Sequence, residues 1–253
     1  MKAFLFLALP FAIPAAAGVP ECRVASDARR APLVELYTSE GCDSCPPADR
    51  WFARLPVGPG AAIPLSFHVD YWDSLGWKDR FASPEWSERQ RARVRAGGGR
   101  IVYTPQVLFD GRDLKWHSGT AFAESLGRAR SKPPGATLRL RMARRGDALE
   151  VEVESALAPG VTAPADLHVA ITQGALATEV RAGENKGERL AHEHVVRTVE
   201  KMGAVGVTAR TLSYGRPFAP GWRAEDLAVV AWVQDRESAE VLQAVRLAMC
   251  PAG

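Results

Sequence analysis

The sequence predicts an α/β domain followed by an all-β, sandwich-like domain. Three observations carry that reading. Up to Arg130, short apolar strand-like runs alternate with helical patterns. Ser131-Lys132-Pro133-Pro134-Gly135 then reads as a linker, because Pro and Gly at that density break both helix and strand. Beyond it, apolar residues recur at every second position over about seven short segments parted by turn residues, the pattern of a β-sandwich. The expected boundaries are a leader over 1–17, an α/β domain over 18–131 and a β-sandwich domain over 136–253.

A chain of 253 residues suits one large domain or two ordinary ones. With 47% apolar and 24% charged residues it has the composition of a globular protein and not of a disordered one. The balance of 32 basic against 29 acidic residues leaves no broad basic footprint, so no nucleic-acid partner is expected. The densest basic stretch, Arg139–Arg145, alternates with Leu and Met as a strand with one solvated face does. Met1-Lys2, the apolar run Ala3–Ile13 and the small residues Pro14-Ala15-Ala16-Ala17 read as a secretory signal peptide cleaved after Ala17. The run is shorter than the roughly 20 residues a bilayer span needs, and no later stretch is apolar enough, so no membrane span is expected. The expected location is periplasmic or secreted, an oxidising compartment.

Four cysteines follow the leader: Cys22, Cys42, Cys45 and Cys250. The simplest pairing joins Cys42 to Cys45 and clasps Cys22 to Cys250 as a structural disulfide. Chain-entropy arguments place such a clasp near 5 kcal/mol at most. The rival reading makes one terminal cysteine resolve a mixed disulfide.

For the close pair the surrounding residues matter. Pro32–Thr38 reads as a strand and Ser39-Glu40-Gly41 as a turn. After Pro46-Pro47, which a first helical turn tolerates, Trp51, Phe52 and Leu55 have helical spacing. Cys42 is therefore expected at a helix N-terminus, where free N–H groups and the helix dipole stabilise a thiolate and make it a better nucleophile. Cys45, one turn on, is placed to attack a mixed disulfide on Cys42. These two are the candidate catalytic residues. A zinc half-site needs a second ligand pair that no second Cys-x-x-Cys supplies. A c-type haem site needs His after the second cysteine, where Pro46 stands. A short-loop structural disulfide stays open as the plain alternative. Neither a cofactor nor a metal is expected.

The remaining pattern runs in order: a strand over Ala62–Asp70, a helix over Glu85–Ala96 with Ser83 as N-cap before Pro84, and a stop at Gly97-Gly98-Gly99. A strand over Gln106–Phe109, an Asp110-Gly111 hairpin turn, a returning strand from Trp116-His117-Ser118 and a helix over Gly119–Arg130 complete the half. This order, with Thr104-Pro105 before its last hairpin, resembles the thioredoxin fold. The chain is similar to exported bacterial thioredoxin-like proteins with a Gly-Cys-x-x-Cys-Pro-Pro motif, here Gly41 to Pro47. Within them it resembles an uncharacterised secreted family carrying Tyr37-Thr38-Ser39-Glu40-Gly41, and Asn185-Lys186-Gly187 and His194–Arg197 fit it too. The resemblance implies an α/β thioredoxin-like domain followed by an all-β sandwich-like domain. It also implies that Thr104 and Pro105 face the cysteine pair and bind a substrate backbone. No substrate comes with it. Thioredoxin usually carries Trp before the first cysteine and Gly-Pro between the two; this chain has Gly41 and Asp43-Ser44. Glu40 and Asp43 put negative charge near a forming thiolate, which raises its pKa and makes the disulfide less oxidising. A reductase or isomerase-like role is expected.

His68 to Asp73 follow the second strand at the end where open α/β sheets place their sites. His68 or Asp70 is a candidate proton relay to Cys45; the alternative makes His68 a half-buried strand residue and Asp70 a turn cap. Trp72 is a candidate substrate-binding residue, with Trp77 beside it; packing under a loop is the other reading. His192-Glu193-His194 puts two histidines on one strand face, a metal pair only if a third ligand joins them. In the second half, strands are expected at Thr137–Ala143, Ala148–Ser155, Asp166–Thr172, Leu190–Val199, Val207–Tyr214, Leu227–Gln234 and Val241–Met249. The expected function is an exported thiol–disulfide oxidoreductase acting on protein or peptide thiols and disulfides. The alternative is a non-catalytic binding module or a copper chaperone, since thiolates favour Cu(I). Oligomeric state is left open.

Overall fold

In the computed structural model, residues 21–250 are described, so the leader expected at 1–17 lies outside the described residues. The strands in chain order begin with β1 (Glu21–Ala25), β2 (Leu33–Thr38), β3 (Ile63–His68), β4 (Gln106–Phe109) and β5 (Arg112–Asp113). Then come β6 (Ala136–Arg145), β7 (Ala148–Leu157), β8 (Ala165–Gln173), β9 (Leu176–Glu179) and β10 (Arg189–His192). The last are β11 (Val195–Val205), β12 (Arg210–Pro217), β13 (Leu227–Asp235) and β14 (Val241–Ala248). The helices are α1 (Pro46–Phe52), α2 (Pro84–Ala96) and α3 (Ala121–Arg130). Among the described residues no helix is long and apolar enough to cross a membrane.

The expected α/β thioredoxin-like domain followed by a sandwich is corrected by this architecture. The chain is mostly β, 42% strand against 16% helix, in a multi-sheet sandwich-like arrangement. Eight strands form one sheet in the order β14-β13-β8-β11-β3-β2-β4-β5. The physical reason is one pairing that local sequence does not mark. Val195 of β11 pairs in parallel with Ser66 of β3, which fuses strands of both halves into a single sheet. A second sheet has the order β1-β6-β7-β12, so β1 leaves the first half and pairs with β6, Cys22 opposite Met142. β9 and β10 make a separate two-stranded ribbon.

Alternation assigns the layers. On one face of the large sheet Leu33, Tyr37, Leu65, Phe67 and Trp232 pack with Trp86 and Val94 of α2. On the other face, Val34, Leu36, Val107 and Phe109 meet Ala48 and Phe52 of α1 and Ala129 of α3. Further along that face, Leu167, Val169, Ile171, Val229 and Ala231 meet Leu138, Leu140, Met142, Val151 and Val153 of the four-stranded sheet. Each Val, Leu, Ile, Phe or Met side chain so buried contributes about 1.5–3 kcal/mol. β2 is covered on both faces, and its Glu35 is fully buried. Burial pushes the Glu35 carboxyl up, but Arg93 and Arg89 of α2 override it and hold the pKa at about 2. Arg93 Nε lies 3.0 Å from one carboxylate oxygen and Arg89 Nε 3.1 Å from the other.

Local signals act as the residues demand. Ser83 caps α2, its Oγ accepting from Glu85 N at 3.2 Å, with Pro84 following in the first turn. Asp110 and Gly111 take φ of 49° and 79°, and the β4–β5 hairpin turns there. The returning strand expected at Trp116 is the shorter β5; Trp116 instead packs against Trp51 of α1 at 5.8 Å. The strand expected over Leu190–Val199 breaks in two because His194 adopts φ of 58°.

Candidate functional site

β2 ends at Thr38, and the chain turns before α1 begins at Pro46. Gly41 N donates to Ser39 Oγ at 3.1 Å and Cys42 N to Ser39 O at 3.2 Å. Cys45 N donates to Cys42 O at 3.2 Å, which draws the two cysteines together. Cys42 and Cys45 are bonded, with Cα atoms 5.4 Å apart. Cys45 is the N-cap of the seven-residue α1, so Cys42 stands in the turn before the helix and not at its first residue. A side chain at position 41 would come within 3.2 Å of Trp72 Cβ, so glycine lets Trp72 close over the turn.

The pair is enclosed: Cys42 and Cys45 are both 0% exposed. The loop between β9 and β10 lies against their turn. The Asn185 side-chain amide donates to Glu40 O and Cys42 O, both at 2.9 Å, and Asp43 N donates to Glu184 Oε2 at 3.2 Å. Gly183, with φ of 75°, lets the loop approach Trp77, whose Cβ would stand 3.0 Å from any added side chain.

Beneath the turn lies a buried polar cluster. Glu40 is 0% exposed; Trp77 Nε1 donates to its carboxylate at 2.8 Å, and His192 Nε2 lies 3.1 Å from the other oxygen. Glu40 N donates to Asp79 Oδ2 at 2.9 Å, and the same oxygen is 2.6 Å from His68 Nδ1. Burial opposes charge on both partners of the His68–Asp79 pair. Their mutual attraction wins, lowering the Asp79 pKa and raising that of His68. The rings of His68 and His192 are 4.8 Å apart, with Phe81 against both at 5.3 and 5.6 Å. Asp49 sits one turn beyond Cys45 on α1, its N–H bonded to Cys45 O at 3.1 Å. Burial pushes its carboxyl pKa up, against the pull of His192 and His68, and Thr38 Oγ1 donates to it at 3.2 Å.

The candidate residues are thus brought together unevenly. Trp72 Nε1 donates to Thr104 Oγ1 at 2.7 Å, so Trp72 links the Gly41 turn to the cis Thr104–Pro105 segment. His68 is locked to Asp79, and Asp70 is held by Ser87 of α2 through both its N–H and its carboxylate; neither hydrogen-bonds a cysteine. Cys22 and Cys250 are bonded, with Cα atoms 5.7 Å apart, tying β1 to the residues after β14. His192 and His194 do not form a metal pair. The first faces Glu40, and the second lies past the strand break, where burial and then Arg246 lower its pKa to about 4. Among the described residues no group of three His, Cys, Asp or Glu side chains is arranged to hold a metal ion. Sequence reasoning missed Asp49 and Asp79; it named His192 only as half of a metal pair and Asn185 only within the family-matching segment, and missed the contacts both make at the turn. Asp49 was within reach, since four residues beyond Cys45 is the same helix face. Asn185 was not, because it acts across 143 residues of chain.

Fold and site together define a class: mostly-β proteins with an enclosed Cys-x-x-Cys disulfide where a central strand gives way to a short helix. The chain belongs to the family described as Protein of unknown function (DUF1223), whose model matches residues 33–234. No curated protein matches it. Among solved structures it is similar to a protein from Agrobacterium tumefaciens, at 27% identity over 88% of this chain and 96% of that one, with a TM-score of 0.66. It is also similar in fold to HBP35 of Porphyromonas gingivalis, at 14% identity over 88% of this chain and 76% of that one, with a TM-score of 0.64.

Proposed function

We propose that this protein is an exported thiol–disulfide oxidoreductase, reductase or isomerase-like, acting on protein or peptide disulfides. The observation that carries the reading is the Cys42–Cys45 bond, closed across the turn between β2 and α1. The segment Gly41-Cys42-Asp43-Ser44-Cys45-Pro46-Pro47 resembles the motif of exported thioredoxin-like redox proteins, and that likeness concerns the chemistry of the motif. The two disulfides, Cys22–Cys250 and Cys42–Cys45, fit an oxidising compartment.

In the reductive direction, the Cys42 thiolate attacks one sulfur of a client disulfide. A mixed disulfide forms, and the client's other sulfur leaves as a thiolate that takes up a proton. The Cys45 thiolate then attacks Cys42 Sγ, the mixed disulfide breaks, and the client leaves with two thiols. Two electrons have passed to the client, and an external dithiol must reduce the Cys42–Cys45 bond again. Asp49, one turn beyond Cys45 on α1, would take the Cys45 proton; the direction of its pKa, raised by burial, supports that role. Trp72, Thr104 and Pro105 form the side of the turn that a client backbone would meet. Cys42 stands outside the helix with Glu40 and Asp43 as neighbours, so its thiolate gains less from the dipole than a cysteine at the first helical residue would. That favours a reducing pair over a strong oxidant.

A trap tests the reading. A Cys45→Ala variant, reduced and mixed with disulfide-bonded client proteins, is expected to accumulate mixed disulfides through Cys42, and the Cys42→Ala, Cys45→Ala double variant none. The reading fails if no adduct forms and the wild type does not accelerate reduction of insulin by dithiothreitol.

A further inference from the structure

Beside the buried cluster lies a cleft of about 560 Å³ walled by Arg80, Phe81, Leu176, Arg189, Arg197 and Arg223. Two of its four arginines are neutralised. Arg189 pairs with Glu179 at 3.1 Å, and Arg223 pairs with Asp226. The other two are not. Arg80 donates to the carbonyl of Ala177 at 2.8 Å and meets no carboxylate among the described residues. Arg197 is half-buried, with its guanidinium 5.3 Å from the Phe81 ring centre and 5.8 Å from that of Trp222. Among the described residues it has no carboxylate and no hydrogen-bond acceptor. Arg80 shares the Phe81 ring at 4.6 Å.

Two like charges are therefore held close around one aromatic ring in a concave place, Arg197 half-buried and Arg80 exposed at its rim, with nothing of opposite sign between them among the described residues. Burial and then the nearby Arg80 lower the Arg197 pKa, the mark of an uncompensated cation. Another basic cavity is built differently: of its lining arginines Arg112 is exposed and unpaired among the described residues, but the two buried ones are neutralised. There Arg30 pairs with Asp110 at 2.6 Å and Glu240 at 2.9 Å, and Arg93 pairs with Glu35. A guanidinium presents a planar fork of donors that matches the two oxygens of a carboxylate.

We propose that this cleft binds an acidic peptide segment, two of whose carboxylates are held by Arg80 and Arg197. Three features favour a peptide over a small anion. The cleft is far larger than one phosphate and has apolar wall at Leu176, Phe81 and Pro220. β9, on its rim, pairs only with β10 among the described residues and leaves its other edge free. Phe81 packs on His192, which meets Glu40, two residues before Cys42, so a chain lying here runs toward the disulfide turn. In making that peptide part of a client, the assignment rests on the oxidoreductase reading; the binding itself needs no redox step.

The test uses the full-length exported protein with Cys42–Cys45 oxidised, and a fluorescein-labelled hexapeptide of alternating Asp and Glu followed by anisotropy. The expected result is saturable binding, with affinity falling at least about tenfold for Arg80→Gln, an exposed position that does not threaten folding, and likewise for Arg197→Gln. Arg189→Gln, whose partner is already Glu179, is expected to change it less than about threefold. The proposal is overturned if the wild type does not bind, if Arg80→Gln binds as well as the wild type, or if pyrophosphate displaces the peptide at equal or lower concentration. Because no thiol takes part, binding without mixed-disulfide trapping and without accelerated insulin reduction overturns the oxidoreductase reading alone, and trapping without binding overturns this one alone.

Discussion

Asn185 is the residue whose loss should say most about access to the disulfide. It is 5% exposed, and its amide donates to Glu40 O and Cys42 O at 2.9 Å each. Asn185→Ala removes both donors. Cys42 O keeps the N–H of Cys45, so one carbonyl is left with a partner and Glu40 O loses its side-chain donor inside the protein. A buried acceptor left without its bond costs about 1–3 kcal/mol, and a lost second bond less. The closed state of the loop should therefore weaken by about 2 kcal/mol, which is roughly a thirtyfold rise in the open fraction. The measurement is the rate at which dithiothreitol reduces Cys42–Cys45 in the folded protein, read by alkylation and mass spectrometry of the cysteine peptides. Reduction is expected to speed up about thirtyfold in Asn185→Ala, and at least as much in Asn185→Asp, which turns a second acceptor toward the same carbonyls. Cys22–Cys250 serves as the internal control and should keep its rate. An unchanged Cys42–Cys45 rate would refute the argument, and so would equal acceleration of both bonds, which reports general unfolding.

Glu35→Gln strips the charge between Arg89 and Arg93 in the centre of the sheet and is expected to lower stability by about 3–5 kcal/mol in urea unfolding at neutral pH. Because the folded pKa of Glu35 is depressed to about 2, its contribution is present above its ordinary value of 4.5 and lost as pH falls through about 2; the variant should flatten that acid limb. Burial, then Arg89 for His168 and Arg246 for His194, lowers both histidine pKa values to about 4, so the folded chain binds fewer protons than the unfolded one between there and 6.5. Stability is expected to fall by about 1–3 kcal/mol per histidine as pH drops through that window, and thermal unfolding of His194→Gln should show a shallower dependence than the wild type.

What the sequence made legible is what short stretches of chain decide by themselves. The Ser83-Pro84 start of α2 and the Asp110-Gly111 turn depend on φ preferences and caps a few residues wide, and both are found in place. The bonded cysteine turn was legible for the same reason. The fold class was not, because it depends on which strand β3 takes as its second neighbour. β11 and β3 meet in parallel through Val195 and Ser66, and neither residue differs from any other edge-compatible strand residue. The partners of the relay candidates were illegible on a related ground. His68 alternates to the face that α1 covers, but sequence gave no sign that Asp79, from the following loop, would occupy its Nδ1 at 2.6 Å.

That unmarked pairing also explains why the site is closed. With β11 against β3, β10 and its ribbon partner β9 come to lie over the end of β3, and His192 stacks edge-on to His68. The loop joining β9 to β10 then lies across the Ser39–Cys42 turn, where Asn185 donates to Glu40 O and adds a second bond to Cys42 O. The first half of the chain supplies the sulfurs and the buried acids; the second half supplies their cover, the histidine that meets Glu40, and the arginine pressed on Phe81. Chemistry at Cys42 is therefore coupled to the position of a strand ribbon formed by the other half of the protein. Under the proposed function, opening the disulfide has to work against contacts contributed by β10 and the loop joining it to β9.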